Sequence, residues 1–133
     1  MRIDWHGFLE QAVAQHPKEV AGFLFSTRPY SSGEVWHVCQ VRNVSRSPEL
    51  EWHPHKKDTD EVKRRAIKNE WVKIGNVHSH PFPPDIAYSR YVLEDVIQPS
   101  AKDLAFARRF NDVVRGIVVT GTRAEDRPVC ILG

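Results

Sequence analysis

The sequence predicts an α+β fold in which helices pack against a mixed sheet. Apolar residues recur at helical spacing near the start and in the middle of the chain, whereas other apolar runs are rich in β-branched residues and end in turn-forming residues. These runs do not alternate strictly with helices, as they would in a βαβ fold. With 133 residues, the chain can bury one core without disulfides. We therefore expect a single domain spanning residues 1–133.

The first half of the chain is predicted to form one helix and two strands. Apolar residues at helical spacing indicate an amphipathic helix over Asp4–Gln15, which Pro17 ends. The apolar run Val20–Ser26 predicts the first strand, and residues 27–33 form a turn. Glu34–Arg42 then pairs back as the second strand.

The second half is predicted to contain one helix and several strands. Leu50 and Trp52 alternate with glutamates, which favours a short strand. Asp58 with Glu61 is typical of a helix start, and the apolar residues that follow lie on one stripe. Three further strands are predicted at Val72–His78, Gly116–Gly121 and Arg127–Leu132.

Composition favours a soluble intracellular protein. The net charge of +2 is too small to indicate a nucleic-acid partner. No apolar run reaches membrane-spanning length, and the N-terminus lacks the pattern of a signal peptide. Cys39 and Cys130 each lie in an apolar run, where buried thiols are common, although a single disulfide between them stays open. We expect a cytoplasmic location.

The strongest functional feature is the segment Asn76-Val77-His78-Ser79-His80-Pro81. Side chains two residues apart on a strand point to the same face, so His78 and His80 can bind one metal ion together. Pro81 has no N–H for the sheet, which places the pair at a strand end that substrate can reach.

Two other segments could complete a metal site. Ser100 precedes an apolar-periodic run, which is typical of a helix N-cap, and Asp103 then lies in the first turn as a candidate third ligand. A plain helix cap is the alternative reading of these two residues. Glu19 directly precedes the first strand and is the candidate proton acceptor, although alone it would be read as a surface glutamate.

Together, Glu19 ahead of Gly22, then His78-Ser79-His80-Pro81, then Ser100-x-x-Asp103, resemble the signature of the JAMM (MPN+, or JAB) metalloprotease family. The resemblance covers nearly the whole chain and is closest to the stand-alone prokaryotic members. It implies a single MPN/JAB-like domain with a mostly antiparallel, cytidine-deaminase-like sheet flanked by helices.

The resemblance also implies a function. His78, His80 and Asp103 would bind one Zn²⁺ per chain, Glu19 would be the general base, and Ser100 would stabilise the oxyanion. The expected activity is hydrolysis of peptide or isopeptide bonds at the C-terminus of a ubiquitin-like or small sulfur-carrier protein. The alternatives are a catalytically silent MPN-type scaffold or protein-binding module, and a DNA-associated relative similar to the RadC group. Ser79 between the histidines argues against that group.

The chain departs from the family pattern between Pro81 and Ser100, where the link is longer than usual. Within it, the segment 82–98 contains apolar residues that could form a short amphipathic helix. Such a segment could grip a protein substrate or cover the cleft, or it could form a homodimer contact or part of the core.

The remaining histidines are less promising as ligands. His53-Pro54-His55 is a rival pair, but its proline interrupts a regular strand and two lysines follow it, so we expect a surface loop before a helix. His6, His16 and His37 each stand alone in the sequence. None of them is assigned to the site.

Overall fold

The computed structural model describes residues 2–27, 33–81, 114–121 and 129–132, the last range by its backbone only. It confirms the predicted α+β class, with one six-stranded mixed sheet and two helices in the described ranges. In chain order the elements are β1 (Arg2–Asp4), α1 (Phe8–Gln15), β2 (Ala21–Ser26), β3 (Val35–Val41), α2 (Lys56–Lys68), β4 (Val72–Pro81), β5 (Val114–Thr120) and β6 (Val129–Leu132).

The strands follow the spatial order β1-β3-β2-β4-β5-β6. The pairs β1–β3 and β4–β5 are parallel, and the other three pairs are antiparallel. Parallel neighbours such as β4 and β5 need a crossover connection. That connection, residues 82–113, lies outside the described residues, and so do the predicted segment 82–98 and the turn before β6.

Two clusters of apolar side chains cover the two faces of β2. Leu24 packs with Phe8 and Ala12 of α1, whereas Phe23 and Phe25 pack with the residues of α2. Every residue of β2 is buried, as expected for a central strand that is covered on both faces. The sheet therefore lies between the two helices.

The start of the chain differs from the prediction of a helix over Asp4–Gln15. Residues Arg2–Asp4 form β1, and the helix begins only at Phe8. His6 and Gly7 lie between them with φ of +48° and +80°, values that a right-handed helix does not accommodate. Ile3 and Trp5 pack on the core from the strand and turn, which explains why their spacing resembled a helix.

The predicted short strand around Leu50 is also wrong. Leu50 is 82% exposed while Trp52 is buried, and the loop has only an isolated bridge between Asn43 and Pro54. The alternation of apolar and acidic residues there reflects one anchored tryptophan and not a strand. The other strands agree with the prediction to within a few residues, and β4 runs on to Pro81.

Gly75 lets β4 and β5 come unusually close. A Cβ built at Gly75 would overlap the carbonyl oxygen of Val114. The two residues are register partners in the parallel pair. Glycine at this position therefore allows the close approach of the two strands.

Candidate metal centre

His78 and His80 lie side by side near the end of β4. Their Nε2 atoms are 2.8 Å apart, and their ring centroids are 4.6 Å apart. Because side chains alternate along a strand, the two rings share one face of the sheet, as the sequence predicts. His78 is 2% exposed, whereas the side chain of His80 keeps 15% of its surface exposed. Access to the pair is therefore from the side of His80.

Glu19 is buried against this histidine pair. It lies on the segment between α1 and β2 and is 4% exposed. Its Oε1 atom is 4.0 Å from Nε2 of His78 and 3.9 Å from Nε2 of His80. Nearly equal distances place the carboxylate in front of both imidazoles. A glutamate that looked like a surface residue in the sequence thus belongs to a buried cluster.

Ser79 fixes the chain beside Glu19. Its hydroxyl oxygen accepts a hydrogen bond from the backbone N–H of Val20 at 2.8 Å. Its own backbone N–H donates to the carbonyl oxygen of Val20, also at 2.8 Å. Ser79 is fully buried and Val20 is 2% exposed. The residue between the two histidines therefore holds the backbone that carries the carboxylate, a role that sequence reasoning missed.

A loop between β3 and α2 supports Glu19 from the other side. The Asn43 side-chain amide donates to the carbonyl oxygens of Glu19 at 2.9 Å and Glu51 at 3.1 Å. The N–H of Glu19 donates to the carbonyl of Pro48 at 2.6 Å. These bonds keep the Glu19 backbone between the sheet and the loop.

Trp52 from the same loop packs on the site. Its ring lies 5.9 Å from the ring of His78 and 6.4 Å from that of Phe23. At 7% exposure, it forms part of the apolar surroundings that orient His78. In the sequence, nothing about Trp52 predicts that it packs on His78.

The arrangement brings two metal-binding imidazoles and a buried carboxylate together. One donor atom each from Glu19, His78 and His80 lies within 4.8 Å of the other two. Imidazole nitrogen with carboxylate oxygen is the ligand set that zinc uses in catalytic sites. The residues present therefore fit a zinc ion. Ser100 and Asp103 lie outside the described residues, and their roles stay predictions.

The rival pair His53 and His55 is used differently. Nδ1 of His55 accepts the N–H of Asp58 at the start of α2, and His53 lies 3.6 Å from a carboxylate oxygen of Glu51. The two rings thus serve separate contacts in a loop before a helix, which agrees with the prediction. Hydrogen bonds from Arg42 hold the pKa of Asp58 below its ordinary value.

Two histidines that stand alone in the sequence meet in the structure. His6 Nε2 lies 2.8 Å from His37 Nδ1. His16 instead contacts the end of β5, where its Nδ1 is 2.8 Å from the hydroxyl oxygen of Thr120. The fold therefore brings histidines that stand alone in the sequence into contact with distant positions.

Cys39 is a free, buried thiol on β3. Burial raises its pKa above the ordinary value, as expected for a cysteine that packs as a small apolar residue. The side chain of Cys130 lies outside the described residues. Because Cys39 is free, it does not form the disulfide that the sequence leaves open.

Comparison with known proteins agrees with this geometry. The family described as prokaryotic homologs of the JAB domain matches residues 5–91, a range that includes Glu19, His78 and His80. The solution structure of protein DSY2949 from Desulfitobacterium hafniense is similar, with a TM-score of 0.59 and 25% sequence identity. The match covers 99% of this chain and 82% of that one.

Comparison with curated proteins gives no match. Neither helix in the described ranges has the length and apolar character needed to cross a membrane. The family match extends over more than half of the chain and contains the buried glutamate and both histidines. The chain belongs to the prokaryotic JAB-domain family.

Proposed function

We propose that the chain is a zinc-dependent hydrolase that cleaves peptide or isopeptide bonds at the C-terminus of a ubiquitin-like or small sulfur-carrier protein. The observation that carries this proposal is the buried carboxylate of Glu19, which lies 3.9–4.0 Å from the facing nitrogens of His78 and His80. Membership of the JAB family, which includes metalloisopeptidases, supports the same activity.

The ligand set favours zinc over harder cations. Two imidazoles with carboxylate ligands suit a borderline metal, whereas magnesium and calcium prefer oxygen ligands throughout. When bound, zinc supplies Lewis acidity and lowers the pKa of a water molecule to about 7. His78 and His80 would hold the ion through Nε2, and Asp103 is the predicted third protein ligand.

Glu19 would act as the general base. A carboxylate within reach of the reacting water can accept its proton and later donate it to the departing amine. The low exposure of Glu19, 4%, keeps bulk water away from this transfer. Hydrogen bonds through Ser79 and Asn43 fix its backbone, so the carboxylate needs little reorganisation during the reaction. Ser100 is the predicted donor to the developing oxyanion.

The substrate class is the part of the proposal that rests on the family resemblance. The site adds one physical requirement, because His78 and His80 lie at a strand end and are reached from the side of His80. A scissile amide must therefore lie in an extended, accessible segment. The flexible C-terminal tail of a ubiquitin-like protein meets this requirement.

The test is hydrolysis of linear and isopeptide-linked ubiquitin-like fusions by zinc-loaded protein, with and without a chelator. We expect cleavage that the chelator abolishes and that Glu19→Gln lowers by about 10²–10⁴-fold, the usual contribution of a general base. Glu10→Gln is the matched control, because Glu10 is an exposed glutamate on α1. It should cleave at the wild-type rate.

Two results would decide against the proposal. Full activity of Glu19→Gln with its zinc retained would dismiss Glu19 as the base. A zinc-loaded wild-type protein that binds these fusions without cutting them would instead favour the scaffold function. Zinc content measured on every variant separates loss of the metal from loss of the base.

A further inference from the structure

A second group of metal-ligating side chains lies at the β1 edge of the sheet. One donor atom each from Asp4, His6 and His37 lies within 4.8 Å of the other two. β1 pairs in parallel with β3, which makes Asp4 the register partner of His37. We propose that these three residues bind a second transition-metal ion of the zinc class, at a structural site separate from the candidate metal centre.

The ring of His37 is already held in one orientation. It stacks on the ring of Trp71 with centroids 4.0 Å apart and an interplanar angle of 12°. Trp71 in turn packs with Phe25 at 6.4 Å, so the stack is anchored to β2. A ligand whose rotamer is fixed by packing loses little conformational freedom when it binds a metal.

His6 is held in an unusual backbone conformation. Its φ of +48° lies in the left-handed region, which residues other than glycine rarely adopt. The N–H of His6 donates to Oδ1 of Asp4 at 3.1 Å. Such outliers concentrate at functional sites and ligand clamps. The His6 ring stacks on the ring of His37 with centroids 5.1 Å apart, and its Nδ1 lies 3.5 Å from Oδ1 of Asp4.

One distance in this cluster repeats a distance in the candidate metal centre. The facing ring nitrogens of His6 and His37 are 2.8 Å apart, the same separation as between His78 and His80. A hydrogen bond between two neutral imidazoles would give the same distance, so the distance alone does not indicate a metal site. The carboxylate of Asp4 is the feature that favours a metal site over a hydrogen bond. Two imidazoles and one carboxylate provide three zinc ligands and leave a fourth position for water.

The cluster is accessible to metal ions in solution. The side chains of His6 and Asp4 are 40% and 37% exposed, so a metal can enter without opening the fold. A bound ion would tie the three-residue strand β1 and the start of α1 to β3. A metal that binds only the folded protein stabilises it by mass action. The site would therefore stabilise this edge without taking part in catalysis.

Metal counting tests the proposal directly. Metal-free protein is equilibrated with Zn²⁺, passed through gel filtration and analysed for bound zinc. We expect His37→Gln and His6→Gln each to hold one fewer zinc ion than the wild type. His53→Gln is the matched control, because His53 is also exposed and lies 3.6 Å from a carboxylate oxygen of Glu51. It should bind as much zinc as the wild type.

A second measurement separates this site from the candidate metal centre. In a His80→Gln background, Zn²⁺ should still raise the melting temperature, and adding His37→Gln should remove that rise. Equal zinc counts in the wild type, His6→Gln and His37→Gln would overturn the proposal and leave the contact as a hydrogen bond. His6→Gln keeps the test decisive if His37→Gln does not fold, since His6 is exposed and His37 packs on Trp71.

Discussion

Replacing Ser79 by alanine removes one hydroxyl from the centre of the site without touching a predicted metal ligand. The backbone N–H of Val20 then loses the oxygen that accepts it at 2.8 Å. Ser79 is fully buried and Val20 is 2% exposed, so water cannot replace the acceptor. An unsatisfied buried donor costs about 1–3 kcal/mol. For a domain of this size, each kcal/mol corresponds to a melting temperature lower by about 4 °C.

The same change should lower the rate of catalysis as well as the stability. Val20 directly follows Glu19, and loss of its anchor lets the carboxylate shift relative to the histidine nitrogens. A displacement of about 1 Å in a catalytic group can lower the rate by roughly 10²-fold. We therefore expect Ser79→Ala to lower kcat by about 10–10²-fold, with KM and zinc content close to those of the wild type.

Ser26→Ala provides the matched control. Ser26 is also fully buried, on β2, and its hydroxyl donates to a carboxylate oxygen of Glu34 at 2.6 Å. It should lose stability by a similar amount and keep its activity. Both variants are compared by thermal unfolding and by cleavage of a ubiquitin-like fusion below their melting temperatures. If the two variants retain the same kcat, Ser79 does not position Glu19 and the reasoning fails.

Two other substitutions test the fold around the site. Gly75→Ala should give little folded protein in expression and circular dichroism, because its Cβ would overlap the Val114 carbonyl. The control Gly7→Ala, at φ of +80° in open space, should lower the free energy of unfolding in urea by only about 1–2 kcal/mol. Wild-type stability of Gly75→Ala would contradict the close approach of β4 and β5. Asp58→Asn should melt below the wild type at neutral pH, because hydrogen bonds from Arg42 lower the pKa of Asp58 in the folded state. The stabilisation of the wild type by this pair is complete above the ordinary aspartate pKa of about 4 and should shrink as the pH falls below it. A difference in melting temperature between wild type and Asp58→Asn that stays constant down to acid pH would contradict the pairing.

The parts of the site that could be predicted from the sequence are those that local rules govern. Two-residue periodicity places His78 and His80 on one face, whereas the 2.8 Å separation of their Nε2 atoms also depends on their side-chain rotamers. Only the motif that Glu19 completes indicates its role, since its position before a strand gives no information about burial. Its 4% exposure depends on the loop that carries Pro48 and Trp52, whose path no local pattern determines.

The features that could not be predicted from the sequence share a physical cause. The left-handed φ of His6 delays the start of the predicted helix to Phe8, and only glycine and a few polar residues signal that conformation in a sequence. His6 meets His37 because β1 pairs in parallel with β3, a contact between residues far apart in the chain. The hydrogen bond from Val20 to Ser79 has the same origin. Pairing across a sheet becomes visible only when the strand order is known.

Anomalous diffraction at the zinc edge, from crystals of the zinc-loaded wild-type protein, tests the central claim most directly. The account predicts a peak about 2.0–2.1 Å from Nε2 of His78 and of His80, the usual zinc–nitrogen distance, with the Glu19 carboxylate beside it. A zinc-loaded crystal without a peak within bonding distance of these two nitrogens would contradict the metal centre and the hydrolase function built on it.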